Sequence, residues 1–134
     1  MRVFLDTNVL VAAFATRGLC ADVFRLAAVK HHLLIGEPVL EEFGRILTSK
    51  LHMPRDARNE ALGVLRRFLL AAAAAKPIPL GINDPADEWI VACALGAAAE
   101  VFVTGDKALL GLRKVKNMAI VSPRQFWTQA QPAS

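Results

Sequence analysis

Four acidic residues stand where apolar, strand-like runs meet helical segments. Asp6 follows the first apolar run directly, and Asp106 follows "VFVTG". Asp87 opens the helical segment before that second run, and Glu42 lies in the helical segment that follows residues 32–36. Four carboxylates close together repel one another and raise one another's pKa, a penalty that a divalent cation removes. Ligands that are all oxygen suit Mg²⁺ or Mn²⁺, which can activate water and stabilise charge on a phosphoryl group.

Each of these aspartates also has a simpler interpretation as a helix cap. Asp6, Asp84 and Asp106 could all accept hydrogen bonds from the free N–H groups at a helix start. Asp84 precedes Pro85, and proline favours the first helical position. Asp87 could then be the third-position partner of a capping arrangement. Taken singly, capping remains open for each residue.

Helical geometry favours Asp87 over Asp84 as the functional acid. At about 100° per residue, Asp87 falls at the centre of an apolar stripe, whereas Asp84 lies outside the helix body. A carboxylate on a buried face costs free energy unless something pairs with it. The stripe consists of Ile90, Val91, Ala94, Leu95 and Ala98.

The same test favours Glu42 over Glu41. The apolar face of the segment 37–51 consists of Val39, Leu40, Phe43, Ile46 and Leu47. Glu42 borders this face and Glu41 points away from it. We therefore predict Glu42 as the second acid of the site, with Glu41 as the open alternative.

The elements that must position these acids alternate between strand and helix. Predicted strands cover 3–5, 32–36, 77–81, 100–105 and 118–122. Predicted helices cover 8–15, 18–30, 37–51, 54–76 with its alanine run, 84–99, 106–115 and 123–130. This order predicts an α/β fold, a three-layer α/β/α sandwich with a central parallel sheet. Ligands bind such sheets at the carboxyl ends of the strands, which is where the acids fall.

The composition is that of one globular domain. The chain has 134 residues, of which 54% are hydrophobic and 21% charged. We predict a single domain over residues 1–128 and a polar tail over 129–134. The first apolar segment is too short to span a membrane and lacks a signal-peptide pattern, so we expect a cytoplasmic protein.

Neither the cysteines nor the histidines suggest a metal site. Cys20 and Cys93 form no CxxC pair, and the three histidines show no HExxH spacing. The formal net charge of +4 permits a polyanionic partner but does not demonstrate one.

Four segments together closely resemble the PIN-domain ribonucleases, and within them the VapC-like toxins of prokaryotic toxin–antitoxin systems. The resemblance runs from Arg2 to Trp127 and implies a parallel sheet flanked by helices. It also implies Mg²⁺- or Mn²⁺-dependent hydrolysis of RNA, a homodimer, and an antitoxin partner whose segment enters the acidic cleft. The segments are "FLDTNVLVAAF", "PVLEEFGRIL", "DPADEWIVACAL" and "VFVTGDKALLGL".

The resemblance also implies roles for individual residues. The family's four acids correspond to Asp6 in "DTN", Glu42, Asp87 in a "DxxIxAxA"-like helix start and Asp106 in "TGD". We expect Asp6 and Asp106 to be direct metal ligands, and Glu42 and Asp87 to bind directly or through water. Two further positions, Asn8 and Thr104, usually support the site, although each could equally be an ordinary turn or strand residue.

Basic residues near the acids could hold the phosphates of the RNA. The candidates are Lys107, Arg45, Lys50, Arg55 and Arg58. Each, taken alone, is more typical of a solvated surface charge. Phosphate contacts would make RNA binding depend on salt.

Other classes of protein fit the sequence less well. A phosphatase of the haloacid-dehalogenase type would need an acid two residues after Asp6, where Asn8 stands. A receiver domain would need an aspartate after a middle strand, which "HLLIGE" does not supply. A housekeeping RNA-processing nuclease and a non-catalytic binding module with capping acids remain alternatives.

Overall fold

A six-stranded sheet forms the centre of the fold in the computed structural model, which describes residues 1–130. The strands are β1 (Arg2–Leu5), β2 (His32–Gly36), β3 (Leu69–Ala71), β4 (Val101–Val103), β5 (Lys114–Val115) and β6 (Met118–Val121). The helices are α1 (Thr7–Ala15), α2 (Leu19–Lys30), α3 (Glu37–Ser49), α4 (Arg55–Leu65), α5 (Pro85–Gly96), α6 (Lys107–Leu112) and α7 (Pro123–Gln129). The predicted fold class, an α/β/α sandwich with a mainly parallel sheet, is confirmed.

The strand order is β3-β2-β1-β4-β6-β5. All neighbouring strands are parallel except β5 and β6, which form a short antiparallel pair. Strands β1 and β4 are adjacent, so the residues that follow them meet at one edge of the sheet. The backbone N–H of Asp6 donates to the carbonyl of Val103 at 2.9 Å, which fixes this meeting point.

Aromatic side chains fill much of the core. The rings of Phe4 and Phe102 stack with centroids 5.3 Å apart across the β1–β4 pair. Phe14 on α1 contacts Phe24 and Phe43 edge-on, which joins α1 to α2 and α3. The three apolar residues of β1 are fully buried, as expected for a strand covered on both faces.

The predicted helix over 54–76 is wrong in its second half. Helix α4 ends at Leu65, and the chain then forms β3, which pairs in parallel with β2. Phe68 packs edge-on against Phe24, and Ala71 is 3% exposed. Pairing with the sheet and burial of these residues outweigh the high helix propensity of alanine, because tertiary contacts override local preference.

The predicted strand over 77–81 is also wrong, because this segment is irregular. Pro77 and Pro79 have no N–H group, so a continuous ladder of hydrogen bonds cannot form. The N–H groups of Ile78 and Leu80 donate to Glu88 instead. Ile78 donates to its carbonyl at 3.3 Å and Leu80 to its carboxylate at 2.8 Å.

The predicted helix over 106–115 is shorter than expected. Helix α6 ends at Leu112, and Arg113 takes a left-handed conformation with φ 61°. Lys114 and Val115 then pair with β6 as a hairpin. Alternating residues over so short a span cannot be told from a helix end by periodicity.

The last helix includes Gln129, one residue into the predicted polar tail. Residues 131–134 of that tail lie outside the described residues, so the domain boundary stays a prediction. Within residues 1–130, no helix combines the length and the apolar character needed to cross a membrane.

Candidate active site

Asp6 is the most deeply buried acid of the site, at 4% exposure. It begins α1, and its Oδ1 accepts a hydrogen bond from the Thr7 N–H at 2.8 Å. Its Oδ2 accepts from the Thr104 hydroxyl at 2.7 Å and from the Asn8 amide at 3.1 Å. Burial nevertheless raises the pKa of Asp6, and the charge of Glu42 adds to the effect, whereas these hydrogen bonds oppose it.

Asn8 and Thr104 tie together the two loops that carry acids. The Asn8 Oδ1 accepts a hydrogen bond from the Gly105 N–H at 3.0 Å. The fully buried Thr104 hydroxyl accepts from the Asp106 N–H at 3.0 Å while it donates to Asp6. Both predicted supporting residues therefore lie between the β1 and β4 loops and fix their relative position.

Asp106 lies at the start of α6 and is partly buried. Its Oδ1 caps the helix by accepting from the N–H groups of Ala108 at 2.8 Å and Leu109 at 3.2 Å. Its other carboxylate oxygen accepts no hydrogen bond within residues 1–130. Capping thus occupies one oxygen of Asp106 and leaves the second available.

Asp84 and Asp87 lie in the different environments that the helix geometry predicts. Asp84 is exposed and caps α5 by accepting from the Ala86 N–H at 2.9 Å. The carboxylate of Asp87 is partly buried and accepts no hydrogen bond in the part of the chain that the structure describes. Burial raises the pKa of Asp87 to about 7, with further contributions from the charges of Asp6, Asp84, Asp106 and Glu42.

The two neighbouring glutamates occupy different environments. Glu41 is exposed and forms an ion pair with Arg45 at 3.5 Å, one helical turn later. Glu42 is partly buried, and its charge raises the pKa values of both Asp6 and Asp87. The four predicted acids therefore lie within electrostatic reach of one another, and Glu41 does not contribute.

A cleft of about 340 Å³ opens beside two of these acids. Residues Gly81, Ile82, Asn83, Asp84, Asp87, Asp106 and Ala108 line it. Sequence patterns did not assign residues 81–83 to the site, although Gly81, at φ 69°, is the turn signal that could have indicated a loop there. A larger cavity of about 400 Å³ lies beside the alanine run, but no acid lines it.

The donor chemistry of the site fits a hard divalent cation. Every candidate ligand is a carboxylate oxygen, the type that Mg²⁺ and Mn²⁺ prefer. Among the described residues, however, no three His, Cys, Asp or Glu side chains are arranged so that they could hold a metal ion. Asp6 and Asp106 each accept a hydrogen bond from a backbone N–H group with one carboxylate oxygen. Binding of a cation would thus require the side chains to move closer together.

Two of the five predicted phosphate-binding residues have other contacts. Arg45 pairs with Glu41, and Arg58 donates to the Thr48 hydroxyl at 3.0 Å. Lys107 is exposed and directly follows Asp106 at the sheet edge. Of these candidates, Lys107 is the one that directly follows an acid of the site in the chain.

Comparison with known proteins supports the resemblance noted in the sequence. A profile of the PIN domain family matches residues 2–108. The structure of VapBC2 from Rickettsia felis bound to a DNA fragment from its promoter contains a similar chain, with 17% identity and a TM-score of 0.67. That match covers 91% of this chain and 98% of the other. The PIN domain endonuclease Utp24 is 23% identical, with a TM-score of 0.54 and coverage of 90% and 84%. Curated protein sequences gave no match.

Proposed function

The chain belongs to the PIN domain family, whose members are generally nucleases, and we propose that it is an Mg²⁺- or Mn²⁺-dependent endoribonuclease. One observation carries the proposal. Burial raises the pKa of the Asp87 carboxyl group, and the charges of three acids from other elements, Asp6, Asp106 and Glu42, raise it further. A fold gains no stability from such a cluster, which is typical of sites that bind cations or perform acid–base chemistry.

In this proposal Asp6, Glu42, Asp87 and Asp106 hold the metal. The cation, when bound, would lower the pKa of an attacking water and offset charge on the phosphoryl group. Thr104 and Asn8 orient the Asp6 carboxylate through its Oδ2. Asp87 lines the cleft, and its carboxylate accepts no hydrogen bond among residues 1–130, so both of its oxygens can serve as ligands there.

We further propose that the protein is the toxin of a toxin–antitoxin pair. Support comes from the four sequence motifs, which resemble VapC-like proteins in order and spacing. The proposal includes a cytoplasmic location, a homodimer and an antitoxin segment that enters the acidic cleft. Size-exclusion chromatography that gave only a monomer would contradict the dimer.

The nuclease proposal is tested by cleavage of a mixed pool of single-stranded RNA with Mg²⁺ or Mn²⁺. Asp6→Asn should abolish cleavage, because the neutral amide is a poor ligand and disturbs the bonds to Thr104 and Asn8. Glu41→Gln serves as the matched control, since Glu41 is acidic but exposed, and it should cleave like the wild type. EDTA should stop both active proteins.

Two outcomes would oppose the proposal. Calorimetry that detected no metal binding to an inactive wild-type protein would favour capping as the only role of these acids. Cleavage by Asp6→Asn at the wild-type rate would exclude Asp6 from the catalytic site.

Induced expression in cells distinguishes a toxin from a housekeeping nuclease, because only a toxin should arrest growth, and Asp6→Asn should relieve the arrest.

A further inference from the structure

Positive charge is concentrated in the last part of the chain. All 12 acidic residues lie at or before Asp106. Residues 1–106 carry a formal charge of −1 and residues 107–134 carry +5, which together give the net +4. The five cations of this second part are Lys107, Arg113, Lys114, Lys116 and Arg124. The basic character of the protein therefore belongs to one region and not to the whole surface.

Two of these cations line a groove between α6 and α7. The α6–α7 groove has a volume of about 670 Å³, within the roughly 300–1,000 Å³ of typical ligand pockets. Its lining consists of Leu110, Arg113, Ile120, Ser122, Arg124 and Gln125. Both arginines are exposed, and neither pairs with a carboxylate within residues 1–130. The groove thus offers two unneutralised guanidinium groups and neutral polar side chains.

The groove adjoins the acidic site. Leu110, on the groove wall, donates its N–H to the Asp106 carbonyl at 2.9 Å, one helical turn away. On the other wall, Ser122 follows Val121, whose carbonyl accepts from the Thr104 N–H at 3.0 Å. Arg113 lies seven residues after Asp106, or about 10 Å along a helix axis. A single extended ligand chain could therefore contact Asp106 and the groove at the same time.

We propose that the α6–α7 groove binds the phosphodiester backbone of single-stranded RNA beside the acidic site, with Arg113 and Arg124 each contacting a phosphate. Guanidinium groups bind phosphate oxygens through paired hydrogen bonds. The inference rests on the proposed function for the identity of the ligand. It differs from the sequence-based candidates for phosphate contacts, which did not include either arginine.

The test measures binding of a fluorescein-labelled single-stranded RNA in EDTA, where cleavage cannot occur. The double variant Arg113→Gln/Arg124→Gln should weaken binding about tenfold. Loss of two phosphate contacts should also reduce the slope of log K against log salt by about 1.4, at roughly 0.7 per phosphate of a single strand. Circular dichroism should confirm that the variant is folded.

The matched control is Arg66→Gln/Arg67→Gln, which removes the same charge at an exposed turn after α4. That turn precedes β3, which is parallel to β2, so it lies at the amino ends of the strands, whereas the acids lie at the carboxyl ends. The control should keep wild-type affinity and salt slope. An equal loss in both double variants, or none in the groove variant, would overturn the inference.

Cleavage assays of the same variants with Mg²⁺ or Mn²⁺, together with binding of an acidic peptide in EDTA, separate the two proposals. If RNA binding depends on the groove but the protein cleaves no RNA with Mg²⁺ or Mn²⁺, the nuclease proposal is refuted and the RNA-binding role of the groove is supported. Cleavage by the groove variant with unchanged KM would remove the groove and keep the nuclease. Binding of an acidic peptide but not of RNA would also overturn the groove's assignment to RNA.

Discussion

Asp87→Asn should stabilise the metal-free protein while it abolishes cleavage. The substitution removes one negative charge from a cluster that also contains Asp6, Asp106 and Glu42, and it changes the side-chain shape little. Asp87 has a pKa of about 7 in the folded chain against 3.8 in the unfolded chain. The charged carboxylate is therefore disfavoured by folding, and the neutral amide avoids this cost.

The magnitude follows from the difference between the two pKa values of Asp87. About three pKa units correspond to about 4 kcal/mol as an upper bound, at 1.36 kcal/mol per unit. Because the carboxyl group is partly solvated, solvent screening reduces this to about 1–2 kcal/mol. For a chain of 134 residues, that free energy corresponds to a Tm increase of roughly 4–8 °C at pH 8.

The stability contribution of Asp87 changes with pH in the opposite direction to that of a carboxylate whose pKa is lowered by folding. Between pH 4 and 7 the folded wild type holds a proton on Asp87 that the unfolded chain has released. The contribution of this bound proton to the free energy of unfolding is complete below pH 4 and is lost as the pH rises through about 7. The advantage of Asp87→Asn should consequently be largest at pH 8 and small at pH 4.

Urea unfolding in EDTA at pH 5 and pH 8 checks this expectation. Asp56→Asn, at an exposed position on α4, is the matched control and should change stability by less than about 0.5 kcal/mol. Added Mg²⁺ should stabilise the wild type more than Asp87→Asn, because a ligand stabilises the state that binds it. A variant no more stable than the wild type at pH 8 would refute the argument that burial and the neighbouring carboxylates disfavour the charged form of Asp87.

Three further substitutions test the fold and the site. Gly36→Ala should cost about 1–3 kcal/mol, because its Cβ would lie 2.6 Å from a phenylalanine ring of β1, whereas Gly44→Ala has room and should not destabilise in the same denaturation assay. Thr104→Val should cost about 1–3 kcal/mol and slow cleavage, since it removes the hydroxyl that binds a buried aspartate; recovery by Thr104→Ser would show that the hydroxyl matters. Glu42→Gln should abolish RNA cleavage and Glu41→Gln should not, and the reverse result would shift the second acid by one position.

The sequence was sufficient for the fold class and for the placement of the acids, because both depend on strong local signals. Alternating apolar strands and helices determined the parallel sheet. Asp6 and Asp106 come directly before helices at strand ends, Asp87 lies in the first turn of a helix, and Glu42 lies in the helix after β2. Helical periodicity also separated Asp87 from Asp84 and Glu42 from Glu41. Their contacts agree with those expectations, although their roles in catalysis remain predictions.

The errors occurred where long-range contacts decide local structure. The alanine run 71–75 has high helix propensity, yet Ala71 belongs to an edge strand because β2 supplies hydrogen-bond partners. The segment 77–81 has a strand-like composition, but Glu88 takes its free N–H groups. Neither partner is adjacent in sequence. The α6–α7 groove was missed for the same reason, since its two arginines are eleven residues apart.

Capping, one of the two explanations that the sequence left open, does not use every carboxylate oxygen of Asp106. Asp106 caps α6 through Oδ1 alone, which leaves its other oxygen unpaired within the described residues. Asp6 likewise accepts the Thr7 N–H through Oδ1, while Oδ2 turns toward Thr104 and Asn8. The positive ends of α1 and α6 offset part of the repulsion between these carboxylates. Capping therefore fixes Asp6 and Asp106 at the ends of β1 and β4, and the charge that remains on them is what a cation would bind.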